Sequence, residues 1–159
     1  MNLVGLLLLA GCSDSGGATS VKSSVLEGPA TFCGYSPIID LQMGETVTTL
    51  EGGIHQGSFR WDGAFGSLVV RGEGWTTRPN GRLVVAPSGE KPGRFAERKR
   101  EGQHTIAIWN GRQGAAYFET RSRFTDQQLE AIERVRLFQD GEEPSHCDLR
   151  TEFAWTIEE

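Results

Sequence analysis

The sequence predicts a mainly β (α+β) domain, an antiparallel meander closing into a small barrel or sandwich, with one helix before its last strand. Three observations carry that expectation. Turn-forming residues recur at short intervals, the segments between them have the length and composition of strands, and one stretch alone has helical periodicity. The turn signals are Glu51-Gly52-Gly53, Asp62-Gly63, Pro79-Asn80-Gly81 and Asn110-Gly111. Asn-Gly and Asp-Gly accept positive φ cheaply, which two-residue hairpin turns require. Between them lie the expected strands Thr46–Leu50, Ile54–Trp61, Ser67–Arg71, Arg82–Ala86, His104–Trp109 and Ala115–Thr120. At the end, Phe153, Trp155 and Ile157 alternate with Glu152, Ala154, Thr156 and Glu158, one apolar face and one mostly polar. No fixed-period repeat is present, which excludes a propeller or solenoid.

The helical stretch is FTDQQLEAIERVRLF, with the helix expected over about 125–138. Thr125 is placed to cap it, and Gln128, three residues on, completes a capping box. Phe124 is positioned to staple onto Leu129. Leu129, Ile132, Val135 and Phe138 fall on one stripe, so the helix is expected to close over the sheet. Asp140-Gly141 is the expected stop.

The N-terminus has a different character. Leu3 to Ala10 is too short to span a bilayer, which takes about 20 apolar residues. Its length fits the apolar region of a secretory signal, about 7 to 15 residues followed by small ones. The ending Leu9-Ala10-Gly11-Cys12 resembles the lipobox of bacterial lipoproteins, although Met1-Asn2 lacks the Lys or Arg usual in that family. The resemblance implies cleavage before Cys12, a signal peptide over 1–11, and acylation (palmitate or a similar chain) of the new N-terminal cysteine. Two or more acyl chains, at about 0.8 kcal/mol per buried methylene, suffice for stable anchoring. Ser13, rather than Asp, follows Cys12, which in that family implies the outer membrane facing the periplasm. Ser13 to Ser24 is rich in Ser, Gly and Thr, so residues 12–27 are expected to hold the lipidated cysteine and a flexible tether. A tether of about fifteen such residues reaches roughly 20 Å. Residues 28–159 are then one periplasmic domain, long enough for a real core.

Net charge is −5, which argues against a general nucleic-acid binder. With Cys12 assigned to lipid, Cys33 and Cys147 remain as an even pair in an oxidising compartment, so a disulfide is expected. Among motifs with chemistry, Gly-x-Ser-x-Gly, His-Glu-x-x-His and phosphate loops are absent from the sequence. His55, His104 and His146 share no metal-binding spacing, so no metal or cofactor is expected. Ser145-His146-Cys147-Asp148-Leu149-Arg150 is distantly similar to the Ser-His-Gly-Cys-x-Arg signature of L,D-transpeptidases, which implies a cysteine nucleophile. The glycine is missing, and Gly53-Ile54-His55 is far upstream of the place where that family has its second histidine. Lys91, Arg94, Arg98, Lys99 and Arg100 surround Phe95 on an expected loop between strands, a candidate patch for an anionic envelope polymer or a protein partner. Glu90, Glu97 and Glu101 offset it in part. Trp61, Trp75, Trp109 and Trp155 are expected to form core rather than line a cavity.

The expectation for function is a lipid-anchored envelope protein with a non-catalytic binding or interaction domain. The alternatives are a peptidoglycan-active enzyme and a structural or assembly accessory of the outer membrane.

Overall fold

The structure is a computed structural model, and it describes residues 23–53, 55–74, 82–84, 94–100, 102–109, 114–138 and 145–151. The chain runs β1 (Val25–Glu27), β2 (Ala30–Cys33), β3 (Pro37–Leu41), β4 (Thr46–Gly52), β5 (Gln56–Gly63), β6 (Gly66–Gly74), β7 (Arg82–Val84), β8 (Arg94–Arg100), β9 (Gln103–Trp109), β10 (Gly114–Thr120), α1 (Asp126–Glu133), β11 (Arg136–Leu137) and β12 (Leu149–Arg150). These strands make two sheets, of order β1-β4-β5-β6-β10-β9-β8-β7 and β11-β3-β2-β12. The larger sheet is antiparallel throughout. It joins two meanders, β4-β5-β6 and β7-β8-β9-β10, through the β6–β10 pair. β1 and β7 are its edges, so it does not close. The barrel alternative therefore falls and the two-sheet alternative stands.

The hairpins follow the sequence reading with small shifts. The turn expected at Asp62-Gly63 lies two residues later. Gly63 pairs with Gly66, leaving Ala64-Phe65 at the tip, and Gly66 takes the positive φ of 93° that glycine adopts without strain. The register slips between Thr49 and Glu51, a bulge that leaves Leu50 partly exposed. The expected turns at 79–81 and 110–111, Ala86 and the expected strand over 153–158 lie outside the described residues.

Alternation along the larger sheet gives it a core face and an outer face. Val47, Phe59, Trp61, Leu68, Val70, Ile106, Ile108, Ala116 and Phe118 are buried on the core side. The smaller sheet contributes Phe32, Ile39 and Leu41, and Phe32 meets Phe59 with ring centroids 4.5 Å apart. β1 to β3 were not anticipated as strands. β1 lies inside the stretch assigned to the tether, and the Ser24 N–H donates to Thr49 Oγ1 at 2.8 Å, so the folded body starts earlier than residue 28.

Helix α1 begins as read. Thr125 Oγ1 accepts from the Gln128 N–H at 3.2 Å, and Gln128 Oε1 accepts from the Thr125 N–H at 3.0 Å. Its end is a correction, because the helix stops at Glu133 instead of continuing to 138. The Val135 N–H donates back to Ile132 O at 3.1 Å, and Arg136–Leu137 then pairs with β3 as β11. β11 completes an otherwise open edge of β3, and Val135 is buried in the process. Tertiary pairing outweighs the helical periodicity of residues 134–138.

Where the sheets meet, glycine decides the spacing. Gly57 pairs with Gly72 on neighbouring strands, and Gly114 stands on the next strand, β10. The segment Tyr35-Ser36-Pro37 lies directly over them. A Cβ on Gly57 would enter the Tyr35 ring, one on Gly114 would meet Ser36 Oγ, and one on Gly72 would stand 2.8 Å from Pro37 Cδ. Ser36, buried there, donates its hydroxyl to Glu73 O at 2.5 Å. Proline offers no rotamer that would relieve the contact at Gly72. Gly72→Ala should therefore destabilise by about 1 to 3 kcal/mol in urea denaturation. Gly53→Ala, whose new methyl would approach nothing closer than 3.6 Å, should change the urea midpoint far less. Equal effects would contradict the close packing.

Candidate functional site

The two cysteines that remained after the lipobox assignment form a disulfide. Cys33 and Cys147 are bonded, with Cα atoms 5.8 Å apart and a sequence separation of 114. Cys33 ends β2, and Cys147 enters β12, which pairs with β2 in parallel, Leu149 opposite Phe32 and Arg150 opposite Cys33. The bond leaves Cys147 no thiol, so the chemistry implied by the transpeptidase-like signature has no nucleophile at that position.

Around the disulfide the outward face of the smaller sheet is polar. His146 and Asp148, two residues apart and so on one side of the chain, meet at 2.8 Å between Nε2 and Oδ1. Asp148 Oδ2 accepts from the Thr31 N–H at 2.7 Å, and the Asp148 N–H donates to Thr31 O at 2.8 Å. That bond from Thr31, and after it the His146 ring, hold the Asp148 carboxyl below the ordinary carboxylate range. Beside them Arg136 Nη2 donates to both Asp40 oxygens, at 3.0 and 2.8 Å, and Thr31 Oγ1 donates to Asp40 Oδ1 at 3.1 Å. Thr31, Asp40 and Arg136 were not singled out from sequence. The Cys147 sulfur, between His146 and Asp148 in sequence, is bound to Cys33. Among the described residues no three His, Cys, Asp or Glu side chains gather as metal ligands.

A second constellation lies in the core. Glu45 is buried, and its Oε1 accepts from Arg134 Nη2 at 2.5 Å. Its Oε2 accepts from the Gln42 N–H at 3.1 Å and from Trp61 Nε1 at 3.3 Å. The Arg134 guanidinium also lies 5.4 Å from the Trp61 ring centroid. Every polar group here has a structural partner, so the cluster ties α1 to β4 and β5. Trp61 itself is core, edge-on to Phe65 at 4.8 Å. Trp109 is half-buried at the end of β9, and Trp75 and Trp155 lie outside the described residues.

The basic stretch behaves differently from its expected loop. Lys91 lies outside the described residues, whereas Arg94, Arg98, Lys99 and Arg100 belong to β8, paired with β9 over its whole length. Full backbone pairing with β9 outweighs the low strand propensity of charged residues. Arg94, Arg98 and Arg100 occupy register positions opposite Trp109, Thr105 and Gln103, on the outer face of the sheet. The Lys99 position, opposite His104, is on the other face. That outer face continues through Tyr117 of β10 to Arg71 of β6, whose guanidinium lies 4.5 Å over the Tyr117 ring and is paired with Glu73. Further along, Arg60 pairs with Asp62 at 2.8 Å and Gln103 donates to Glu119 at 2.6 Å. His104 stands half-buried on the core side with Ile106 and Ile108, and the carbonyl of His55 accepts from the Gly74 N–H at 2.9 Å. Cys12 is outside the described residues. Comparison with protein-family models, curated proteins and solved structures finds no match to this chain.

Two outcomes follow for the disulfide face. The protein should show no free thiol on denaturation at positions 33 and 147. Cys33→Ser and Cys147→Ser should each cost about 2 to 5 kcal/mol in urea denaturation, and the double variant little more. A clearly additive double variant would mean that the two residues act separately. For Asp148 the folded-state pKa is depressed, so its stabilisation is present above the unfolded carboxylate pKa and is lost as pH falls through the folded value. The stability gap between the parent and Asp148→Asn should be full above about pH 5 and shrink below about pH 4. A gap independent of pH across that window would contradict the assignment.

Proposed function

We propose that this chain is a lipid-anchored envelope protein, held through Cys12, whose two-sheet domain is a non-catalytic binding or interaction module. The observation that supports it best is the combination of a lipobox-like Leu9-Ala10-Gly11-Cys12 with a disulfide between the other two cysteines. Structural disulfides belong to compartments outside the reducing cytosol. A signal that exports the chain and a cysteine pair that is oxidised after export give the same address. The anchoring membrane in this reading is the outer membrane, with the domain in the periplasm.

The binding role rests on the division of labour between the two faces of the larger sheet. One is filled by the core and the smaller sheet, while the other carries Arg71, Tyr117 and the β8 arginine positions. Arg favours carboxylates and phosphates because its planar fork matches them. The partner class is accordingly an anionic envelope polymer or an acidic protein surface, and no nucleic acid is invoked for a chain of net charge −5.

The anchor is tested by Cys12→Ser. Labelling by a clickable palmitate analogue should disappear, and the protein should move to the soluble periplasmic fraction or accumulate unprocessed. Labelling and membrane association that survive the substitution would contradict the anchor.

A further inference from the structure

The disulfide joins two cysteines in unequal surroundings. Cys33 has no exposed surface, whereas Cys147 is partly exposed. Cys33 ends β2, an inner strand of the smaller sheet, opposite Ile38 of β3 on one side and Arg150 of β12 on the other. Cys147 precedes β12, the last strand in that sheet's order, and Ser145, His146, Asp148 and Arg150 around it are exposed.

Thiol–disulfide exchange is a displacement in line with the S–S bond: the thiolate approaches one sulfur from the side opposite the other, which departs. Attack on Cys147 Sγ brings the nucleophile from solvent and leaves the Cys33 thiolate in its buried place. Attack on Cys33 Sγ would bring the nucleophile through the folded body, since no atom of Cys33 meets solvent.

What holds Cys147 in place is local. The Asp148 N–H donates to Thr31 O at 2.8 Å, Asp148 Oδ2 accepts from the Thr31 N–H at 2.7 Å, and the Thr151 N–H donates to Cys33 O at 2.9 Å. These bonds are separate from the four residue pairs that join β2 to β3. Leu149, partly buried, is the contact of this segment with the core. A short, exposed segment held by few bonds opens at a fraction of the global unfolding free energy.

We infer that Cys147 Sγ is the exchange site of this protein, an electrophilic sulfur open to an external thiol while Cys33 is closed to it. The thiolate forms a new S–S bond to Cys147 Sγ, the Cys33–Cys147 bond breaks, and its electron pair leaves on Cys33 Sγ, which takes a proton from water. A second thiol then displaces Cys147 from the mixed disulfide. The pair is reduced by two electrons, and two thiols of the reagent become one disulfide. In a partner protein with two neighbouring cysteines both thiols come from one molecule, so the partner class is a dithiol oxidoreductase. Opening the bond frees residues 145–151 from their crosslink to β2. The inference depends on neither the Cys12 anchor nor the binding face, so it stands or falls separately from the proposed function.

The test uses the full chain carrying Cys12→Ser, so that no internal thiol competes, with the 33–147 disulfide formed. The folded chain is exposed to reduced glutathione at a concentration that labels the urea-unfolded chain, and exchange is frozen with acid. Bound glutathione is then located by mass spectrometry of peptic fragments. Glutathione on Cys147 should exceed glutathione on Cys33 about ten-fold in the folded chain. In urea, where both sulfurs are accessible, that preference should disappear. Glutathione mainly on Cys33, an equal split in the folded chain, no adduct from the folded chain, or a preference that survives in urea would each overturn the inference. Both cysteines of the pair are kept throughout, so no outcome turns on how a variant lacking the disulfide folds.

Discussion

The architecture depends on how closely two sheets approach at one place. Tyr35-Ser36-Pro37, the corner between β2 and β3, lies against backbone at Gly57, Gly72 and Gly114, where side chains would hold the sheets apart. That approach brings Phe32 onto Phe59 and lets the buried Ser36 hydroxyl reach Glu73 O. It also sets the level of β2, and hence where Cys33 meets Cys147 and where β12 can lie parallel to β2. The disulfide and the glycine row thus act on the same corner from opposite sides.

The far end of the core is closed in another way. Glu45 collects Arg134, Trp61 and the Gln42 N–H, joining α1 to the hairpin of β4 and β5. A buried carboxylate of this kind serves geometry more than stability, because desolvation offsets much of its attraction. With both ends closed on one side of the larger sheet, the opposite side carries Arg60, Arg71 and Tyr117, with Ala107 and Ala115 buried on it. The function proposed for this protein lives on that opposite face, where Arg71 and the register positions of Arg94, Arg98 and Arg100 lie.

Local features of this fold were legible in the sequence and long-range ones were not. Hairpins from β4 to β6 and from β9 to β10 announce themselves through turn residues and strand composition, because turn chemistry acts within four residues. The Thr125–Gln128 capping box is local in the same way. The Cys33–Cys147 pair was reached by counting the cysteines left once Cys12 is assigned to lipid, on the expectation of an oxidising compartment. β1 to β3 were missed because they are three to five residues long and broken by Gly28-Pro29 and Ser36-Pro37. The parallel pairing of β12 with β2 joins segments more than a hundred residues apart, and no local pattern encodes it. Arg136–Leu137 was read as helix because Val135 and Phe138 continue the apolar stripe; only the open edge of β3 makes strand the better choice. Of the candidate site, the basic residues were visible but their strand was not, since charge suppresses the strand signal that pairing with β9 restores.

The central structural claim is that the smaller sheet is held by the glycine-row contact and the disulfide together, each retaining part of it when the other is lost. Native-state hydrogen exchange before and after selective reduction measures this directly. The account predicts that the amides of Asp148 and Thr151, which bond to Thr31 and Cys33 carbonyls, lose protection on reduction. The amide of Gly34, bonded to Pro37 O over the glycine row, and those of β5, β6 and β10 should keep theirs. Uniform loss of protection across both sheets, or no change at Asp148 and Thr151, would contradict it.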